Sequence, residues 1–498
     1  MRRRCVIIGS GLGGLSCGVV LARNGYDVTI LEQCAQAGGC LQCFTRRGVC
    51  FETGMHFIGS AGEGEVLNRL LSWLGVMDDI ELSRLDTTGY NEVLLQGQRF
   101  RFANGREPFI EQMASYFPRE KDNIAAYCDL VGKVSGASSF HSLRYADSDI
   151  AVNTEYQLRS INEVIGSLTD DRLLQSVLVG DLPLYAAEKD KTPFATHAFI
   201  MDFYNRSAFR VVGGSDRIAK SLVRTLEREG GRVVTKCKAQ QIRCNDSAAE
   251  GVVTQDGTFY PADVVISGIH PVRTMEMLDT KMIRPAFRNR INSMRNTTSV
   301  FTLYLHFKAG SVPYMNSNIF RYNDATPWDS GTGSTEEWPR NYLYMHFCHE
   351  PNPQFAEGGV VLSYMSMDEL RQWESTTVEH RGAEYGEFKR MKAEKMIAAL
   401  KRDYPQLRGN IEHYYTATPL TYRDYTGTPD GSMYGVAKDI TLGAANRVPH
   451  KTRVPNLLMT GQNINSHGIL GVLVGTIVTC SELLSAEHIY KQIAGGDR

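Results

Sequence analysis

Apolar positions along this chain follow two periods. Residues 6–8 (Val-Ile-Ile) are a short continuous apolar run, the pattern of a strand buried on both faces of a parallel sheet, and the mostly apolar 27–31 (Asp-Val-Thr-Ile-Leu) reads as a second strand. Between them, residues 15–24 repeat their apolar positions at helical spacing and stop at Gly25, a C-cap glycine. The same alternation returns later. Ile218, Leu222, Val223 and Leu226 mark a helix over 218–229, ended by Gly230-Gly231, and a strand follows at 232–235. Short strands are expected around 241–242 and 251–254, and the Asp256-Gly257 turn leads to another strand within 262–268. A different texture separates these blocks. Residues 77–209 mix helices with short strands such as 92–95, and the β-branched and aromatic runs 300–307, 342–347 and 360–365 predict antiparallel strands. Helical periodicity appears at 65–76 and 385–400, with Lys389, Arg390, Lys392 and Lys395 on an expected solvated face. The last strand, 454–463, runs toward a helix opened at His467-Gly468.

The first strand–helix pair carries chemistry. Gly9, Gly11 and Gly14 follow the strand at G-x-G-x-x-G spacing, and the second strand ends in Glu32. Gly9 permits the tight turn, Gly11 has no Cβ to block a pyrophosphate, and Gly14 lets helix and strand pack closely. The helix N-terminus offers free N–H groups and a positive dipole end to phosphate. Glu32 is placed to accept hydrogen bonds from ribose hydroxyls and disfavours a 2′-phosphate, so FAD or NAD is expected rather than NADP. Gly213-Gly214 is not a second such site, because it lacks a preceding strand and the three-glycine spacing.

Composition narrows the class. The 498 residues suggest two or three domains, and 42% hydrophobic residues suffice for sizeable cores. A net charge of −1 gives no case for nucleic acid. No uninterrupted apolar run reaches the roughly 18–20 residues that span a bilayer. Arg2-Arg3-Arg4 before an apolar stretch resembles a signal peptide, but the glycines argue for a folded strand, turn and helix. Eleven scattered cysteines, an odd number, fit reduced thiols in a cytoplasmic protein.

Past Glu32 come Gln33, the Gly38-Gly39 pair, Cys40, and then Phe51-Glu52-Thr53-Gly54-Met55-His56. Near the C-terminus stand Gly461-Gln462 and His467-Gly468-Ile469-Leu470-Gly471. This set, with 418–435 before the closing motif, resembles the phytoene desaturase, carotenoid isomerase and retinol saturase family of FAD-dependent oxidoreductases. The chain departs from many relatives in having Cys40 after the glycine pair where they carry Arg, and Gln462 where they often carry Asp. The resemblance implies an α/β fold: a discontinuous Rossmann-like FAD-binding domain (1–76, 210–285 and 441–498) and an inserted α+β substrate domain built on an antiparallel sheet (77–209 and 286–440). It implies FAD contacts at Gly9, Gly11, Leu12, Gly13, Gly14, Glu32, Gln33, Gly38, Gly39, Cys40, Gly54, Met55, His56, Gly461, Gln462, Gly468, Ile469, Leu470 and Gly471. His56 and His467 are the histidines that the motifs bring nearest the flavin, hence the candidate catalytic residues. The implied substrate is an apolar polyene or other lipid, with an external electron donor or acceptor. Such substrates live in bilayers, so peripheral membrane contact stays open.

Rival readings remain. Cys40-x-x-Cys43 could be the dithiol of a flavin disulfide reductase or half of a metal site, although the spacing of Cys34 and Cys50 fits no metal pattern and no metal is expected. The plainer reading is small polarisable side chains lining a cleft. An amine-oxidase-like enzyme would share the terminal motifs. The aromatic stripe Tyr185, Phe194, Phe199, Phe203, Tyr204 and Phe209 could be core or cavity wall.

Overall fold

The computed structural model describes residues 2–139, 143, 150–331 and 337–495; positions 332–336 of the Gly/Ser/Thr/Pro-rich loop at 325–340 lie outside them. The two apolar runs become neighbouring strands, Arg4–Ile8 and Asp27–Leu31, at the heart of a five-stranded parallel sheet. Its order is Arg232–Val234, Asp27–Leu31, Arg4–Ile8, Val264–Ser267 and Leu457–Met459. Strands from three distant stretches thus lie side by side. Both faces are covered, which explains the apolar runs: Cys5, Ile7, Val28 and Ile30 pack toward the helices, Val6, Ile8 and Leu31 toward the other side.

Helix Leu12–Arg23 begins inside the glycine run, three residues before the apolar periodicity predicts it. The reason is packing. A Cβ on Gly14 would come 2.0 Å from the Gly9 carbonyl oxygen, and one on Gly13 would come 3.0 Å from Gly461 Cα. Apolar periodicity cannot mark a turn whose identity is set by the absence of side chains.

A seven-stranded sheet forms the second layer system. Its order is Ile411–Ala417, Ser299–Phe307, Gly358–Met365, Asn341–His346, Asn318–Tyr322, Asn91–Leu95 and Gln98–Phe102. All pairs are antiparallel except Asn318–Tyr322 with Asn91–Leu95. One face packs against helix Gly382–Asp403 through residues such as Leu303, Val361 and Met396; the other joins the core around Val300, Leu343 and Leu362.

Lys392 corrects the expected solvated face of that helix. It is 1% exposed, its ammonium 2.6 Å from Glu369 Oε2 and 4.5 Å from the centre of the Trp338 ring. The ion pair and the aromatic face replace the water it gives up. The aromatic stripe divides as well: Phe194 and Tyr185 are core, whereas Phe199, Phe203 and Tyr204 face a cavity. Among the described residues no helix is long and apolar enough to cross a membrane.

Candidate functional site

The two sheet systems meet at a cavity of about 960 Å³. At one end the backbone is the wall. Gly9 turns with φ +91°, and a Cβ on Gly11 would meet nothing within 4 Å, so the open space beside it belongs to the cavity. Helix Leu12–Arg23 starts there with Gly11 at its N-cap and no side-chain cap. Its N-terminal amide groups are therefore left for a ligand. A second helix, Gly468–Leu484, also begins at the cavity without a side-chain cap. Glu32, 6% exposed, receives Ser10 N–H (3.0 Å) and Ser10 O–H (2.6 Å) on Oε2 and Cys34 N–H (2.8 Å) on Oε1. Those bonds fix the carboxylate at the strand end where a ribose is read.

Of the predicted residues, Gly9, Gly11, Leu12, Gly13, Glu32, Gln33, Gly38, Gly39, Cys40, Gly54, Met55, His56, Gly461, Gln462, Gly468 and Ile469 all line this cavity. Gly14 lies behind the turn against Gly9. His467, Leu470 and Gly471 instead line a smaller neighbouring cavity, which Gly468 and Ile469 share. His467 thus stands one cavity away from where the motif spacing puts it, because its side chain leaves the helix N-terminus on the far side. It packs on Tyr434 with ring centres 4.5 Å apart, and burial pushes its imidazole down to about 3, so the ring is neutral at ordinary pH.

His56 is 8% exposed and lines the main cavity. Nδ1 lies 3.5 Å from Glu52 Oε2, and neither ring nitrogen has a hydrogen-bond partner among the described residues. Its backbone is held by Arg210, which sequence reasoning passed over. That guanidinium, 2% exposed, donates to His56 O (3.2 Å), Ser317 O (3.2 Å) and Asn318 Oδ1 (2.9 Å). A signal was present, a charged residue among the apolar ones of Ala208–Val211; that stretch is a strand, so Gly213-Gly214 does have a strand before it, contrary to the sequence expectation, and lacks only the three-glycine spacing.

Cys40 and Cys43 are not brought together as a working pair. Cys40 is exposed on the cavity wall, while Cys43 is buried outside the lining, 3.4 Å from Ser215 Oγ and hydrogen-bonded with Cys50 across the hairpin. That contact and burial push the Cys43 thiol up, away from the thiolate a dithiol catalyst needs. Elsewhere, on strands Ser299–Phe307 and Ile411–Ala417, His306, Glu412 and His413 gather with donor atoms within 4.8 Å of one another.

At the other end the wall is made of side chains. The seven-stranded sheet contributes Val300, Asn341, Leu343, Met345, Leu362, Ser363 and Tyr364, none of them charged. Tyr204, Tyr422 and Met433 close the chamber.

The glycine cradle, the two uncapped helix N-termini and the buried Glu32 fit FAD: amides for its phosphates, a carboxylate for its ribose. Comparison with known proteins agrees. The family described as flavin containing amine oxidoreductase matches residues 12–385. Rat all-trans-retinol 13,14-reductase is 27% identical, over 98% of this chain and 86% of its own length. An Oncidium chloroplastic prolycopene isomerase is 21% identical, over 97% and 84%. The crystal structure of an oxidoreductase from Methanosarcina mazei superposes with a TM-score of 0.66 at 16% identity, covering 96% of this chain and 100% of that one. The chain belongs to the flavin containing amine oxidoreductase family and is an FAD-dependent oxidoreductase.

Proposed function

We propose that the enzyme acts on a carbon–carbon double bond of an extended apolar isoprenoid or other lipid, most like a retinol-saturating reductase, with carotenoid-type desaturation or isomerisation as the neighbouring chemistries. The observation that carries this reading is the uncharged wall from Val300 to Tyr364, which continues directly from the cofactor end of the same cavity. An amine substrate would bring a cation to a sheet wall that offers it no carboxylate, and Asp424, elsewhere on the cavity lining, is already paired with Arg381 and Arg423. The relatives named for retinol and prolycopene support the same substrate class.

In this reading residues 1–76, 210–285 and 441–498 hold the cofactor, and 77–209 with 286–440 hold the substrate. Gly9 to Gly13, Gly38, Gly39 and Gly461 give FAD a backbone surface, while Glu32 orients its adenosine half. Bound FAD supplies the capacity to accept or donate hydride. The chain's own residues do the rest. The apolar wall excludes water and aligns the double bond. His56, with both ring nitrogens uncommitted, exchanges the proton that accompanies saturation, and Glu52 steadies it from Nδ1.

The test is turnover of the yellow protein on a panel of polyenes and lipids with product masses, run anaerobically both with the flavin oxidised and after reduction with dithionite, and on amines in air. A gain of two mass units marks saturation, a loss of two desaturation, and unchanged mass with altered retention isomerisation. Turnover of amines with release of peroxide, and of no polyene, would discard the proposal. His56→Gln is expected to keep its flavin and lose turnover by about 100-fold or more; unchanged turnover would remove His56 from the mechanism.

A further inference from the structure

The smaller cavity, about 230 Å³, abuts the main one, and Leu184, Tyr204, Gly468 and Ile469 line both. It lies between helices Ile150–Leu158 and Phe194–Arg206 and the loop that leads into the last long helix. Its lining is divided. Phe199, Ile200 and Phe203 are apolar, whereas Asn153, Gln157, Asn465, Ser466 and His467 offer hydrogen-bonding groups. Among the described residues that line it, Lys438 is the single charged one.

Nothing described in the chain answers that charge. Among the described residues no Asp or Glu lines the cavity, and Lys438 has neither a salt bridge nor a hydrogen bond. The charge that acts on it is another cation, Arg447. The neighbouring Asp439 is turned away, its carboxylate accepting from Thr441 and lying 3.5 Å from Arg295. Burial and Arg447 push the Lys438 ammonium down to about 8, so it remains mostly charged at neutral pH without a partner. His467 Nε2 is buried in the same place without a hydrogen bond. Unanswered donors and an unanswered cation in one half-closed cavity are costly unless a ligand supplies the acceptor.

We infer that this cavity holds the carboxylate head of an amphipathic lipid substrate, with Lys438 as its counter-ion, while the apolar chain passes between Tyr204 and Ile469 into the main chamber. This rests on the lipid reading above and narrows it to acids. Size supports the division of labour: about 230 Å³ is below the roughly 300–1,000 Å³ of a site for a whole drug-sized molecule, yet ample for a head group. The phenylalanines make the chain's side of the passage apolar, and the carboxamides and hydroxyls surround the head.

The test is equilibrium binding of parinaric acid and of its alcohol to the FAD-loaded full-length enzyme, read by the probe's own fluorescence. Wild type is expected to bind the acid about tenfold or more tightly than the alcohol, the range of a charge-assisted hydrogen bond. Lys438→Met should erase that preference while leaving the alcohol's affinity in place, and Lys438→Arg should retain it. Equal binding of acid and alcohol by wild type overturns the head-group site and leaves the lipid reading standing. Binding of neither probe overturns both. Should Lys438→Met not fold, the wild-type comparison still decides.

Discussion

The five-stranded and seven-stranded sheets face one cavity, but they give it different parts of the chain. From the parallel sheet come turns, where Gly9, Gly11, Gly268 and Gly461 make the backbone itself the wall. From the seven-stranded sheet come side chains, Val300, Leu343, Met345 and Leu362, carried by strands far apart in sequence. A backbone surface leaves little to vary: a Cβ on Gly14 or Gly13 runs into another stretch of backbone, and one on Gly11 would stand in the cavity itself. A side-chain surface can be resized one residue at a time. The cofactor end is thus rigid in what it admits, and the substrate end is where specificity can change without loss of the fold.

Gly14→Val is the severest way to break that contrast. With a Cβ only 2.0 Å from the Gly9 carbonyl, no rotamer relieves the clash, so loss of bound flavin and of about 3 kcal/mol or more of stability is expected. The flavin-to-protein absorbance ratio and thermal melting check it; a flavin-replete variant with normal melting would show that the turn has slack. Arg210→Met comes next. It strips three buried acceptors of their donor and unties His56 from Asn318, at about 3 kcal/mol, read as a lower melting temperature with turnover falling further than flavin content. Leu343→Ala enlarges the substrate end alone. Flavin content should hold, while relative kcat/KM across polyenes of different girth shifts by about 1–3 kcal/mol. Loss of flavin there would mean that the two ends are not separable. The smallest effect is expected from Cys43→Ser, whose thiol faces Ser215 rather than the cavity. Turnover should stay within about twofold and stability within about 1 kcal/mol; abolished turnover would restore the dithiol mechanism.

Legibility followed the same division. The Gly9–Gly14 turn, Glu32 and the Gly461–Gly471 stretch could be read because each is a contiguous string whose residue types answer a local demand. Gly13 lines the cavity for a reason invisible in the sequence, since the residue that crowds a Cβ there is Gly461, far along the chain. Arg210 and Lys438 escaped notice, and Tyr204 stayed open between core and cavity wall, for the same cause: their meaning lies in carbonyls, rings and cavities contributed by other segments. Lys392 looked like one more solvent-facing charge on an amphipathic helix until Glu369 and Trp338 closed over it.

By itself, then, the sequence determined the parallel strand–turn–helix unit, the glycine-rich helix N-terminus, the carboxylate at the end of the second strand and the family to which these belong. Those features depend on dihedral freedom and spacing within a few residues. Only the tertiary structure decided which side chains wall the apolar chamber, that His56 and His467 face different cavities, that Cys40 lines the main cavity while Cys43 does not, and that Lys438 is left without a counter-charge among the described residues. Each of those depends on sheet register and on the packing of distant segments, which local periodicity does not encode.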